Sequence, residues 1–449
     1  MTGQGAVRRP LPMVAAAAAF AVWLSACSAP SGVAYQTDTP SEYALTVRLR
    51  AGDTARGLAD RYGGVVREFA PHSGYALLGL DSVAASRLTR ARARGARPTT
   101  VSGEPEISDL LSLESNLDVF EADGSHSAVR SLGSLTAWAD GSLTAWADGI
   151  PAAVRPNIPI WLRLNLPVAH KMAYKLGRGV TVAVIDSGVD LQHPALVGSL
   201  APTSAWRDYV GNDNIPQEEG SGSGAGYGHG TAVASVIRQV APNAKILPLR
   251  VLDPNGSGDV LNVASAIRHA ASTGAKIINV SLGSIRLSPA VLAAVNEVTA
   301  KGTYVFASAG NRGTAGSVSY PARDADIGPY RDFQVSVGSV SINGARSAFS
   351  SYGVPGRPLS LVAPGENVAT AYPGARVVSF TGTSMSTPMA AGAAALALGQ
   401  GTLKVSPAGL IQAMLAGADD VSGVANNPEG LGNRRLDIAK FLIRAISYQ

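Results

Sequence analysis

One cysteine, Cys27, stands among 449 residues, so no intramolecular disulfide is available to the fold. Charge is sparse at 15% and aromatic side chains sparser at 6%. The basic residues are scattered and form no block beside aromatics, which argues against nucleic-acid binding. Lysine is missing altogether from residues 1–150, which carry a net charge of −2 against +7 for the rest. Opposite signs mildly favour docking of the two parts, although surface charge is screened and weak. The apolar run Leu11–Leu24 is too short to cross a bilayer comfortably. What is plentiful is glycine, 50 residues, within a hydrophobic content of 46%. That balance describes a globular α/β chain with many tight turns and excludes a disordered one.

The N-terminus carries Arg8 and Arg9 ahead of the apolar run and ends it with Leu-Ser-Ala-Cys at 24–27. Charged start, short apolar middle and small-residue end read as a signal peptide over 1–26. The four residues resemble the bacterial lipobox, which implies that Cys27 takes a diacylglycerol and becomes the mature N-terminus. The alternative is an ordinary signal peptide cut after Ala29. The expected location is outside the cytoplasm, as a cell-envelope lipoprotein held at the membrane by its lipid, with release of the mature form to the periplasm or outside the cell as the alternative.

A Ser/Pro/Thr tether occupies 27–41. Over 42–123 the pattern reads strand, helix, strand, strand, helix, strand, which predicts a small ferredoxin-like α+β domain. In that reading NLDVFEAD (116–123) supplies the closing strand. Residues 124–160 are a linker containing a tandem octamer, GSLTAWAD twice over 133–148. Two copies are too few for a solenoid. They read as a duplicated linker or as a Trp138/Trp146 clamp. From about 161 to 449, apolar strands alternate with helical segments, which predicts a mostly parallel sheet covered on both faces, a three-layer α/β domain.

Four segments of this larger domain carry chemistry. GVTVAVIDSGVD ends an apolar strand on Asp186, YGHGTAVASVI opens a helix on His229, YVFASAGN ends a strand on Asn311, and GTSMSTPMAAG opens an apolar helix on Ser384. A hydroxyl at a helix start sits among unpaired N–H groups that favour developing negative charge. A histidine and a carboxylate would supply the base and its orienting partner. The chain order Asp-His-Ser matches one of the known arrangements of such triads and excludes the others.

On these residues the chain resembles the subtilisin-like serine peptidases. The resemblance implies a subtilisin-like fold and a serine endopeptidase in which Ser384 attacks, His229 carries the proton, Asp186 orients it and Asn311 donates into the oxyanion hole. It implies peptide substrates laid along Ser281, Leu282 and Gly283, with Ala309 and Gly310 at the pocket floor. It also implies that 42–123 is a prodomain that templates folding, inhibits the enzyme and is cut away by it. No catalytic cofactor is expected. The loop carrying the family's tight calcium site is missing here. RDYVGNDNIPQ (207–217) resembles a weaker calcium loop, in which Asp208, Asp213 and Gln217 would supply oxygen ligands; the alternative is a plain Asx-rich turn.

Overall fold

The computed structural model describes residues 41–71, 74–93, 110–116, 120–122, 152–222, 224–326 and 331–446. Cys27, the signal peptide, nearly all of the tether, and the tandem octamer with Trp138 and Trp146 lie outside them.

The N-terminal part runs β1 (Tyr43–Arg48), α1 (Ala55–Tyr62), β2 (Gly64–Ala70), β3 (Tyr75–Leu80), α2 (Ser82–Ala93), β4 (Leu110–Ser115) and β5 (Phe120–Ala122). The first four strands form an antiparallel sheet in the order β2-β3-β1-β4. Leu45, Val47, Leu58, Tyr62, Leu78 and Leu88 fill its own small core. α1 starts on Thr54, whose hydroxyl accepts from Gly57 N, and stops on Gly63 at φ 74°. Both ends therefore follow ordinary capping chemistry.

The closing strand differs from the expected one. β4 at 110–115 completes the sheet against β1, and the 120–122 segment leaves it to pair elsewhere. Docking accompanies the placement of β4. Glu114 Oε1 accepts the Ala290 N–H at 2.8 Å, and Asn116 Oδ1 accepts the Leu261 N–H at 3.1 Å. These are unpaired amides at the starts of two helices of the large domain, where acceptors are favoured.

The large domain contains α3 (Ile158–Arg163), α4 (Leu166–Met172), β6 (Thr181–Asp186), β7 (Arg207–Asp208), α5 (His229–Val240), β8 (Lys245–Arg250), β9 (Ser257–Gly258) and α6 (Val260–Ser272). It continues through β10 (Ile277–Val280), β11 (Leu282–Gly283), α7 (Pro289–Ala300), β12 (Tyr304–Ser308), β13 (Gln334–Val340) and β14 (Leu361–Pro364). It ends with β15 (Val368–Tyr372), β16 (Arg376–Phe380), α8 (Thr383–Gly399), α9 (Gly409–Gly417), β17 (Asp419–Asp420), β18 (Arg434–Arg435) and α10 (Ile438–Ala445). Nine strands make one sheet in the order β17-β18-β14-β13-β12-β10-β6-β8-β7, parallel except for β17.

Alternation along the central strands feeds two cores. Val182 and Val184 face the cluster shared with α5 and α8, while Ala183 and Ile185 face the one shared with α6 and α7. α8 is apolar on every side and buried along nearly its whole length, as a helix without a polar face must be. In such sheets the ligand site lies beyond the carboxyl ends of the strands. β6, β10 and β12 end at Asp186, Val280 and Ser308, and all three ends contribute to the cleft described next.

Candidate active site

Asp186 and His229 meet across two glycine turns. β6 delivers Asp186, and Gly188 follows at φ 94° with its α-carbon against residues 216–217; a Cβ there would lie 2.8 Å from Pro216 O. His229 is the first residue of α5, after Gly228 at φ 87°. Gly230 must also be glycine, since a Cβ would sit 2.0 Å from Gly188 O. These approaches bring His229 Nδ1 to 2.7 Å from Asp186 Oδ1, with both side chains fully buried. The amide of Ser187 donates to the same Oδ1 at 2.8 Å. The edge of the imidazole meets the Phe380 ring, centroids 6.3 Å apart.

Ser384 is the second residue of α8. Its hydroxyl donates to Ser281 O at 3.1 Å, and Ser281 Oγ donates to Ser384 O, also at 3.1 Å. The second bond has a sequence cause. Four residues on stands Pro388, which has no N–H to give Ser384 O in the helical pattern. The serine helix is thus tied to the strand connection at 281. Asn311 follows Gly310, which takes φ 97°. Its Oδ1 accepts from both the amide and the hydroxyl of Thr383, at 3.0 and 3.1 Å. Nδ2 remains buried with no hydrogen-bond partner among the described residues.

Beside these groups runs a groove of main chain. β11 and β9 form its walls, and β5 of the N-terminal part lies antiparallel between them: Glu121 opposite Gly283 and Ser257, Ala122 opposite Leu282, and Phe120 opposite Gly258. Of the residues expected to contact peptide, Leu282 and Gly283 pair with this strand, Ser281 is engaged with Ser384, and Ala309 O accepts from Ser319 N at 2.9 Å. Ser319 packs against two of them. A Cβ on Gly283 would lie 2.5 Å from Ser319 Cβ, and one on Gly310 would lie 2.5 Å from Ser319 Oγ. Its neighbour pair Tyr320–Pro321 is cis.

Glu218 is a second group that the sequence reading passed over. Its carboxyl is buried 2.5 Å from Ser187 Oγ and accepts from the amide and hydroxyl of Thr231 at 3.0 and 2.6 Å. Burial pushes it up to about 7 against the lowering effect of those hydrogen bonds.

The expected calcium ligands do not fit a calcium ion. Asp208 Oδ1 accepts from the amides of Val210 and Gly211 at 2.8 and 2.9 Å, and Oδ2 is held by the buried Arg250 guanidinium at 2.8 Å. Gln217 is turned away, its Oε1 accepting from Leu191 N at 3.1 Å and its Nε2 donating to Glu218 O at 3.3 Å. Asp213 Oδ1 caps Ile215 N at 2.7 Å. Calcium needs six to eight oxygens, and here a guanidinium already neutralises the one buried carboxylate of the loop. Among the described residues no cluster of three or more His, Cys, Asp or Glu could hold a metal.

Comparison with known proteins identifies the family of the large domain. The family model described as the subtilase family matches residues 177–433. Thermitase from Thermoactinomyces vulgaris is 37% identical over 250 residues, 55% of this chain and 84% of that protein. Subtilisin Savinase from Lederbergia lenta is 39% identical over 222 residues, 49% and 76% of the two chains. A crystal structure of a cold adapted subtilisin-like serine proteinase matches at 32% identity with a TM-score of 0.49, over 58% of this chain and 89% of that one.

Proposed function

The chain belongs to the subtilase family and is a serine endopeptidase, and on that premise we propose that Asp186, His229 and Ser384 are its catalytic triad. Ser384 attacks the scissile carbonyl, His229 takes the proton and returns it to the leaving amine, and Asp186 holds the imidazole tautomer. The oxyanion is received by the Ser384 amide at the start of α8 and by Asn311 Nδ2. The observation that carries this reading is the strand 120–122 in the groove between 257–258 and 282–283. A peptide held by main-chain pairing there leads toward Ser281, whose carbonyl accepts from the Ser384 hydroxyl. Strand addition reads backbone, so broad sequence tolerance follows.

The N-terminal part is proposed to be a prodomain, whose last strand occupies the cleft until the chain is cut within 123–160. Support comes from that pairing and from the Glu114 and Asn116 caps on α7 and α6. The lipobox-like sequence at Cys27 supports export and a lipid anchor at the cell envelope. A fluorophosphonate probe should label the wild type and leave Ser384→Ala unlabelled. Casein hydrolysis should disappear with the label. Retained casein hydrolysis in purified Ser384→Ala would end this reading.

A further inference from the structure

Glu218 is a buried carboxyl beside the triad that the reaction does not use. Its segment is pinned to the turn after β6 by Glu218 N donating to Val189 O at 2.9 Å. The N-cap of α5 is Gly228, which offers no side chain to cap the helix. The amide of Thr231, the third residue of that helix, is one of the four a helix start leaves unpaired. Glu218 Oε2 takes that amide and the Thr231 hydroxyl, so the cap comes from 13 residues upstream. A carboxyl at a helix start is favoured there.

The other oxygen faces the strand. Glu218 Oε1 accepts from Ser187 Oγ, and Ser187 Oγ in turn accepts from Gly230 N at 3.0 Å and lies 3.2 Å from Asp186 Oδ1. Thr231 Oγ1 accepts from Asp190 N at 2.8 Å. One carboxyl therefore joins the residue after Asp186 to the residue two beyond His229. We propose that Glu218 is a positioning residue of the triad, a clamp that sets Asp186 and His229 in register by holding Ser187 and Thr231. The inference rests on the triad assignment above.

A clamp of this kind acts on the chemical step, because small misplacement of a proton acceptor can cost about 10²-fold without touching substrate binding. Glu218→Ala should lower kcat by about 10²-fold and leave KM within about threefold. Glu218→Gln keeps an acceptor for Thr231 and a polar group for Ser187, and should restore kcat to within about fivefold of wild type. Ser187→Ala removes one hydroxyl and should lower kcat by about tenfold. In the Ser187→Ala background Glu218→Gln should cost nothing further, since residues acting through one link are non-additive.

Glu218→Ala with unchanged kcat would overturn the proposal. So would Glu218→Gln failing to rescue in a protein that melts like wild type, or additive losses in the double variant. If Glu218→Ala does not fold, the Glu218→Gln and Ser187→Ala pair decides alone. Failure of the triad itself is read separately, as activity surviving Ser384→Ala.

Discussion

Asn311 and Thr383 are joined through a single atom. Asn311 Oδ1 accepts both the backbone N–H and the hydroxyl of Thr383, which fixes the amide plane and keeps Nδ2 from Thr383. A donor so oriented is useful where negative charge develops in the transition state. Asn311→Leu should therefore lower kcat by about 10²–10³-fold with KM little changed, the loss known for an oxyanion amide in a subtilisin. Thr383→Val keeps the backbone bond and removes the hydroxyl, so its loss should be smaller, about tenfold. Equal losses in kcat and KM, or none in Asn311→Leu, would remove Asn311 from the oxyanion hole.

The four motifs were legible because each is a local construction. A strand ends, a glycine turn follows, and a polar residue stands at the turn or helix start. The closest contacts within them are also glycine contacts, such as Gly230 against Gly188 O. Glu218 was not legible, since its partners Ser187 and Thr231 lie 31 and 13 residues away and its own surroundings, EEGSGSG, read as a solvated loop. β5 was misassigned for a related reason. Three extended residues carry no pattern that names a partner, and 116–123 is the one segment that reads as the closing strand. Strands of two residues, such as β17 and β18, lie below any periodic signal. The calcium expectation could not take in a residue outside its own loop, since Arg250 arrives from β8 to pair with Asp208.

The Arg250–Asp208 pair is buried at both ends, while Glu219, the second carboxylate on Arg250, is more than half exposed. Breaking a buried pair from one side leaves an uncompensated charge and costs about 3–5 kcal/mol. Arg250→Met should lower the denaturation midpoint accordingly in the Ser384→Ala background, where self-digestion is absent. Arg250→Met with Asp208→Asn should recover part of the loss. Adding EDTA to the Arg250-containing protein should leave its melting temperature unchanged through this loop. A chelator-induced shift that Asp213→Ala abolishes would restore a calcium ion to 208–217.

Glu68 of β2 gives the docked N-terminal part a pH dependence. Burial raises its carboxyl above the usual 4.5, only partly offset by Arg268 at 3.3 Å and the Tyr75 hydroxyl at 2.8 Å. Arg268 is shared with Glu297 at 3.0 Å and lies over the Tyr75 ring at 4.2 Å. A raised folded-state value means the native chain holds this proton more firmly than the unfolded one. Its contribution is fully present below about 4.5 and is lost as pH rises through the raised value. Full-length Ser384→Ala should thus lose stability across that window relative to the Glu68→Gln form, which has no proton to lose. Identical pH–stability curves for the two proteins would show that Glu68 does not titrate in this range.

The register of β5 makes the processing point testable. Glu121 lies opposite Gly283 and Ala122 opposite Leu282, so β5 runs antiparallel to a segment whose preceding residue is Ser281. Ser281 O is the acceptor of the Ser384 hydroxyl. The bond expected to be cut first is therefore Asp123–Gly124, and N-terminal sequencing of the mature fragment should begin GSHSAV. Cut there, the peptidase is separated from Cys27 and from any lipid on it. Only docking through contacts such as Glu114 to α7 and Arg268 to Glu68 would then hold it to an anchored prodomain. With a C-terminal tag, Ser384→Ala should partition as a full-length protein into detergent, and wild type should yield a shorter fragment in the aqueous phase. A mature N-terminus far from 124 would break the register argument. Wild type that stays full-length in detergent would mean the enzyme works while tethered.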